Sequence, residues 1–117
     1  MKPIMVAITL VTTLALAGLG FAQEEEALHM KQALKHVNAA VTQGQRGDTK
    51  AFVQHAEAGL EHVRKAQEQK PNPDLERAIK SLEESIKQGK GGDTNKATER
   101  AKEAIEYIDS AIAALGG

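Results

Sequence analysis

The sequence predicts an all-α protein, an antiparallel four-helix bundle built from two repeated helical hairpins. Two observations carry that expectation. Apolar residues recur in alternating steps of three and four along four segments, the spacing that keeps them on one face of an α-helix. The second half also repeats the first at a shift of 45 residues with no gap. Lys35, Gln43, Gly44, Gly47, Asp48, Thr49, Ala56, Glu61 and Ala66 meet identical residues at Lys80, Gln88, Gly89, Gly92, Asp93, Thr94, Ala101, Glu106 and Ala111. A hairpin with one apolar face cannot bury it alone, so two copies stacking face to face make a four-helix bundle.

Residues 1–22 differ from the rest of the chain. Met1-Lys2-Pro3 is short and basic, Ile4 to Phe21 carries no charge, and Gly20-Phe21-Ala22 offers small residues where a signal peptidase reads. We expect a secretory signal peptide cleaved after Ala22, which places the mature protein in the periplasm, free of the membrane. Left uncleaved, the same 18-residue apolar run would reach the lower limit of a membrane anchor.

In the mature chain, residues 23–117, the first repeat covers about 25–69 and the second about 73–115. The first helix is expected over about 25–43, with Ala27, Met30, Leu34, Val37 and Val41 inward and Gly44 as a left-handed stop. Asp48 or Thr49 caps a second helix over about 49–69, facing inward with Phe52, Ala56, Gly59, Leu60 and Val63. Gly59 there permits close helix approach. Lys70-Pro71-Asn72-Pro73-Asp74 breaks the chain, and Asn72 before Pro73 suits an N-cap followed by the first helical position. Leu75, Ile79, Leu82 and Ile86 give the third helix, ended at Gly89. Asp93-Thr94 opens the fourth, with Ala97, Ala101, Ala104, Ile105, Ile108 and Ile112 inward.

Without its leader the chain has 95 residues and a net charge of −2, enough for one small core and too few for two. No basic patch is interleaved with aromatics, which argues against nucleic acid. Without cysteine, an exported chain has neither disulfides nor thiolate zinc sites, so a metal site must use nitrogen and oxygen ligands. No serine, acid and histidine stand at matched positions, and no catalytic site is expected. The Gly44 to Thr49 and Gly89 to Thr94 segments follow no strand and lack the consecutive Gly-Lys-Ser/Thr of a phosphate loop, so they read as turns.

The most informative residues are the four histidines, His29, His36, His55 and His62. Each pair on one helix is seven residues apart, two helical turns, and so shares a face. In a hairpin folded about Gln45-Arg46, His36 stands level with His55 and His29 with His62. The levels are expected about 10 Å apart at about 1.5 Å per residue. On a helical wheel the histidines lie about 80–100° from the apolar stripe, on its flank. For one hand of packing both flanks converge on the groove between the first two helices; for the other they diverge. The second repeat has Asp74, Ser81, Arg100 and Tyr107 at these positions, so the scaffold itself does not require imidazole. Imidazole is a ligand for copper(II), nickel(II) and zinc, with copper first in the general affinity order. Glu25 and Glu26, one turn from His29, could complete the outer pair, and Gln32 lies near the inner one.

The segments Leu28-His-Met-Lys-Gln-Ala-Leu-Lys-His36, Gly44-Gln-Arg-Gly-Asp-Thr49 and Gln54-His-Ala-Glu-Ala-Gly-Leu-Glu-His62 resemble the small metal-binding proteins of bacteria. The resemblance extends over the whole mature chain. It implies an exported, histidine-rich four-helix bundle, not an enzyme, that binds copper and other divalent transition metals. Histidines of that family also tend to occupy places that here hold Gln43, Asp48, Ser81, Gln88, Asp93, Arg100 and Tyr107, which implies a lower capacity. The expected ligands are therefore His29, His36, His55 and His62, with Glu25 and Glu26, in a monomer. The alternative is a helical structural or interaction module that has lost metal binding.

Overall fold

A computed structural model describes the backbone of residues 2–116 and the side chains of residues 24–116. Four helices make up the fold: α1 (Lys2–Gln45), α2 (Thr49–Gln69), α3 (Pro73–Lys90) and α4 (Thr94–Gly116). α1 packs on α2 and α4, and α3 packs on the same two helices, so consecutive helices are neighbours around a four-helix bundle. α1 takes in the expected signal segment, whose side chains lie outside the described residues. Among the described residues no helix is long and apolar enough to cross a membrane.

The expected caps form at three helix starts, and at α4 the Asp93 carboxylate accepts from Lys96 N at 3.1 Å. The Asp48 carboxylate accepts from Ala51 N at 3.1 Å to start α2, and the Asn72 side chain accepts from Asp74 N at 2.7 Å ahead of Pro73 to start α3. The helix stops differ from expectation. Gly44 and Gly89 are helical, and the positive φ belongs to Gly47 at 80° and Gly92 at 91°. Asp48 N donates to Gln43 O at 2.9 Å and Gly47 N to Gly44 O at 3.1 Å. The same bonds recur from Asp93 to Gln88 and from Gly92 to Gly89. These are the two bonds of a Schellman turn, whose left-handed residue lies three positions after the glycine the sequence pattern singles out. A Cβ at Gly47 or Gly92 would touch nothing within 4 Å. Gly47→Ala or Gly92→Ala is nevertheless expected to cost about 1–2 kcal/mol through backbone strain alone, measurable by urea unfolding.

Gly44 and Gly89 serve packing instead. A Cβ on Gly44 would collide with the Thr98 hydroxyl and come within 2.9 Å of the Phe52 ring, and one on Gly89 would lie 3.0 Å from Val53 and 3.3 Å from the same ring. Phe52, fully buried, thus fills the space that two glycines leave. Where the two turns meet, Thr49 and Thr94 share a hydroxyl hydrogen bond of 2.8 Å.

The buried face of α1 is Glu26, Met30, Ala33, Val37, Ala40 and Gly44, whereas the expected Ala27, Leu34 and Val41 lie at its edge. Alanine thus replaces the larger aliphatics read from the apolar stripe, because small side chains let α1 sit close to both neighbours. The core face is thereby turned toward the histidine flank. On α2 the expected residues are all buried, and a Cβ on Gly59 would come within 2.6 Å of Val37. That close approach brings the α1 and α2 flanks together.

Candidate metal site

The candidate site is the groove between α1 and α2. Its side chains come from His29 and His36 on one wall and His55 and His62 on the other, all half-buried as expected for a boundary layer. The packing is of the hand that makes the flanks converge. The ring centroids of His29 and His62 are 5.5 Å apart and those of His36 and His55 are 5.9 Å apart, so both cross-helix pairs form in the predicted register.

The predicted separation into two levels does not hold. His36 and His62 are stacked, with centroids 5.6 Å apart and planes at 9°. The four rings therefore run as one row, His29, His62, His36, His55. The cause is side-chain direction. Helical side chains lean toward the N-terminus of their own helix. In an antiparallel pair the α1 rings lean one way along the groove and the α2 rings the other. His36 and His62 lean toward each other while His29 and His55 lean apart. The sequence held this signal, since helix direction follows from the hairpin alone.

The closest donor atoms are His29 Nδ1 and His62 Nδ1, 3.3 Å apart. Two nitrogens each about 2.0–2.1 Å from one ion are about 2.9 Å apart at a right angle and about 3.4 Å apart at the tetrahedral angle. In the metal-free protein the contact is a hydrogen bond whose donor is set by the tautomers, and its length also falls in the range of two ligands of a single ion. Among the described residues no third histidine, aspartate or glutamate converges with a pair, so a pair offers at most two of the ligands that a four-coordinate ion takes.

The two glutamates separate. Glu25 is exposed, and its carboxylate accepts from Gln69 Nε2 at 3.1 Å. Being four residues from His29, it shares the histidine flank, and Gln69 stands seven residues beyond His62, so this contact continues the row at the outer end. Glu26 is buried on the inner stripe, one turn before Met30, and does not join the histidines. Burial raises its carboxyl above the ordinary range, and Lys70 draws it partly back.

The His62 imidazole is displaced in its titration. Burial lowers its pKa from the ordinary 6.5, with positive charge on His29, His36 and Lys65 acting in the same direction and Glu61 against it. The folded protein thus holds His62 neutral, the form that binds metal, to lower pH than the unfolded chain does. As pH falls through the region of 6.5 the unfolded chain takes up the proton first, so metal-free stability falls with it. His62→Gln is expected to flatten that loss between about pH 7 and about pH 5, read from urea midpoints.

A search of curated proteins finds no match to this chain. A family profile described as Small metal-binding protein matches residues 1–111. The chain belongs to the small metal-binding protein family. The match spans both hairpins of this small metal-binding protein. The family resemblance read from the first-hairpin segments therefore holds over nearly the whole length.

Proposed function

We propose that this small metal-binding protein takes up copper(II), and with lower affinity nickel or zinc, in the periplasm, for storage, buffering or detoxification. Its ligands are His29, His36, His55 and His62, with the Glu25 carboxylate able to swing from Gln69 toward the outer pair and water filling the remaining positions. The observation that carries this reading is the 3.3 Å approach of His29 Nδ1 to His62 Nδ1 from two helices. Residues 1–22 act as the export signal, the released bundle is a monomer, and its role is binding without catalysis. The two hairpins are copies of one unit, and only the first retains histidine.

Copper favours such a site because imidazole suits it and because it leads the affinity order among divalent first-row ions. Isothermal titration of the exported protein tests the reading. The four-alanine variant is expected to bind copper at least a hundredfold more weakly, since even outer partners of metal ligands account for about 10–100-fold. Equal binding by both proteins would sink the proposal. The competing reading, an interaction module without metal, is favoured by the lack of a third converging ligand among the described residues. It predicts no copper uptake by either protein.

A further inference from the structure

The row of rings carries more than two pairs. Two imidazoles on one ion have centroids no more than about 6.4 Å apart, given metal–nitrogen bonds of about 2.0–2.1 Å and a ring centre about 1.1 Å behind each nitrogen. All three successive separations meet that limit: 5.5 Å for His29 and His62, 5.6 Å for His62 and His36, and 5.9 Å for His36 and His55. The middle pair meets the same limit, but its rings are stacked at 9°, and because ring lone pairs lie in the ring plane one of the two must turn before both face a shared ion.

We propose that His36 and His62 form a third metal position, making the four histidines one continuous track along which a bound copper(II) ion moves without being released. The inference rests on the histidine binding argued above and extends it from sites to transfer. Each step exchanges one ligand. From the outer position the bond to His29 breaks as one to His36 forms, with His62 held throughout. From the middle position the bond to His62 breaks as one to His55 forms, with His36 held. Every ligand is neutral imidazole before and after, so no proton or electron is moved.

Three features of the groove support such movement. The rings are half-buried, and the second torsion of histidine is broad, so a ring can turn a nitrogen toward either neighbour without opening the core. No converging third side chain among the described residues fixes an ion at one pair. The track also has two distinct ends, the Glu25 and Gln69 contact at one and the Gln43 to Asp48 turn at the other.

Double variants separate a track from two isolated pairs. His29→Ala with His55→Ala leaves only the middle pair, His29→Ala with His62→Ala leaves only His36 and His55, and His36→Ala with His62→Ala leaves the two ends. Copper(II) affinity is measured for each exported protein by competition with a chromophoric chelator, and circular dichroism checks folding. The fold should persist, because the second hairpin has Asp74, Ser81, Arg100 and Tyr107 at the corresponding positions. The track predicts one ion bound by the first variant with affinity within about tenfold of the second, and none bound comparably by the third. If the first variant binds no better than the third, the middle position does not exist, even though the wild type binds copper. If the wild type binds none, the histidine site itself falls and the track with it.

Discussion

Replacing Phe52 by alanine is expected to destabilise the bundle by about 3–5 kcal/mol, the usual cost of emptying a core aromatic site. Such a loss is a large share of the roughly 5–15 kcal/mol that holds a small domain together. The effect should fall in the upper part of the range because the neighbours cannot refill the space. The ring is fully buried and edged by Gly44 and Gly89, which have no side chains to move inward, and much of the surrounding core is alanine. Chemical unfolding of the variant should show a marked fall in midpoint with little change in helical signal before the transition. A loss below about 1 kcal/mol would mean that the bundle collapses around the gap.

The converse change, Gly44→Val, is expected to cost about 1–3 kcal/mol or more through overpacking. Valine's first carbon already collides with the Thr98 hydroxyl, and turning Thr98 away would break its 2.7 Å bond to the Thr94 carbonyl. Gly89→Val should cost less, because its nearest neighbours are Val53 at 3.0 Å and the edge of Phe52 at 3.3 Å. In each case the helix gains roughly 0.3–0.5 kcal/mol from losing glycine, which only partly offsets the clash. Equal stability of the two variants would show that the Thr98 contact is easily relieved. Were the cost at Gly44 a matter of φ, Gly44→Ala would be as harmful as Gly47→Ala; the helical φ of Gly44 predicts that the two changes act by different routes.

Much of this architecture was legible in the residues. Steps of three and four located the helices, Asp48, the Asn72-Pro73 pair and Asp93 located three starts, and the turn centre placed His36 against His55 and His29 against His62. The glycines were harder to read. A helix-ending pattern names a glycine near the last apolar residue, yet each turn has several, and only hydrogen-bond geometry shows that Gly47 and Gly92 take the left-handed position. The inward face of α1 departs from the apolar stripe for a related reason: hydrophobicity ranks Leu34 and Val41 above Ala33 and Ala40, while close packing prefers the smaller pair. The hand of the hairpin, and with it the convergence of the histidines, depends on how two apolar faces mate across four helices. No local pattern encodes that choice. The contact of His36 with His62 could have been foreseen from the lean of helical side chains.

One ring lying against two glycines also says something about ancestry and assembly. Gly44 and Gly89 are the same residue of two copies, and Phe52 reaches both, one edge of the ring toward each. Its own counterpart is Ala97, fully buried and small. Two identical first hairpins brought together would present two phenylalanines to a space that holds one, and two identical second hairpins would leave it empty. The halves have become lock and key. Cut between Lys70 and Asn72, they should associate as a heterodimer in preference to either homodimer, and a primordial single hairpin that assembled with itself would have needed a different residue at position 52.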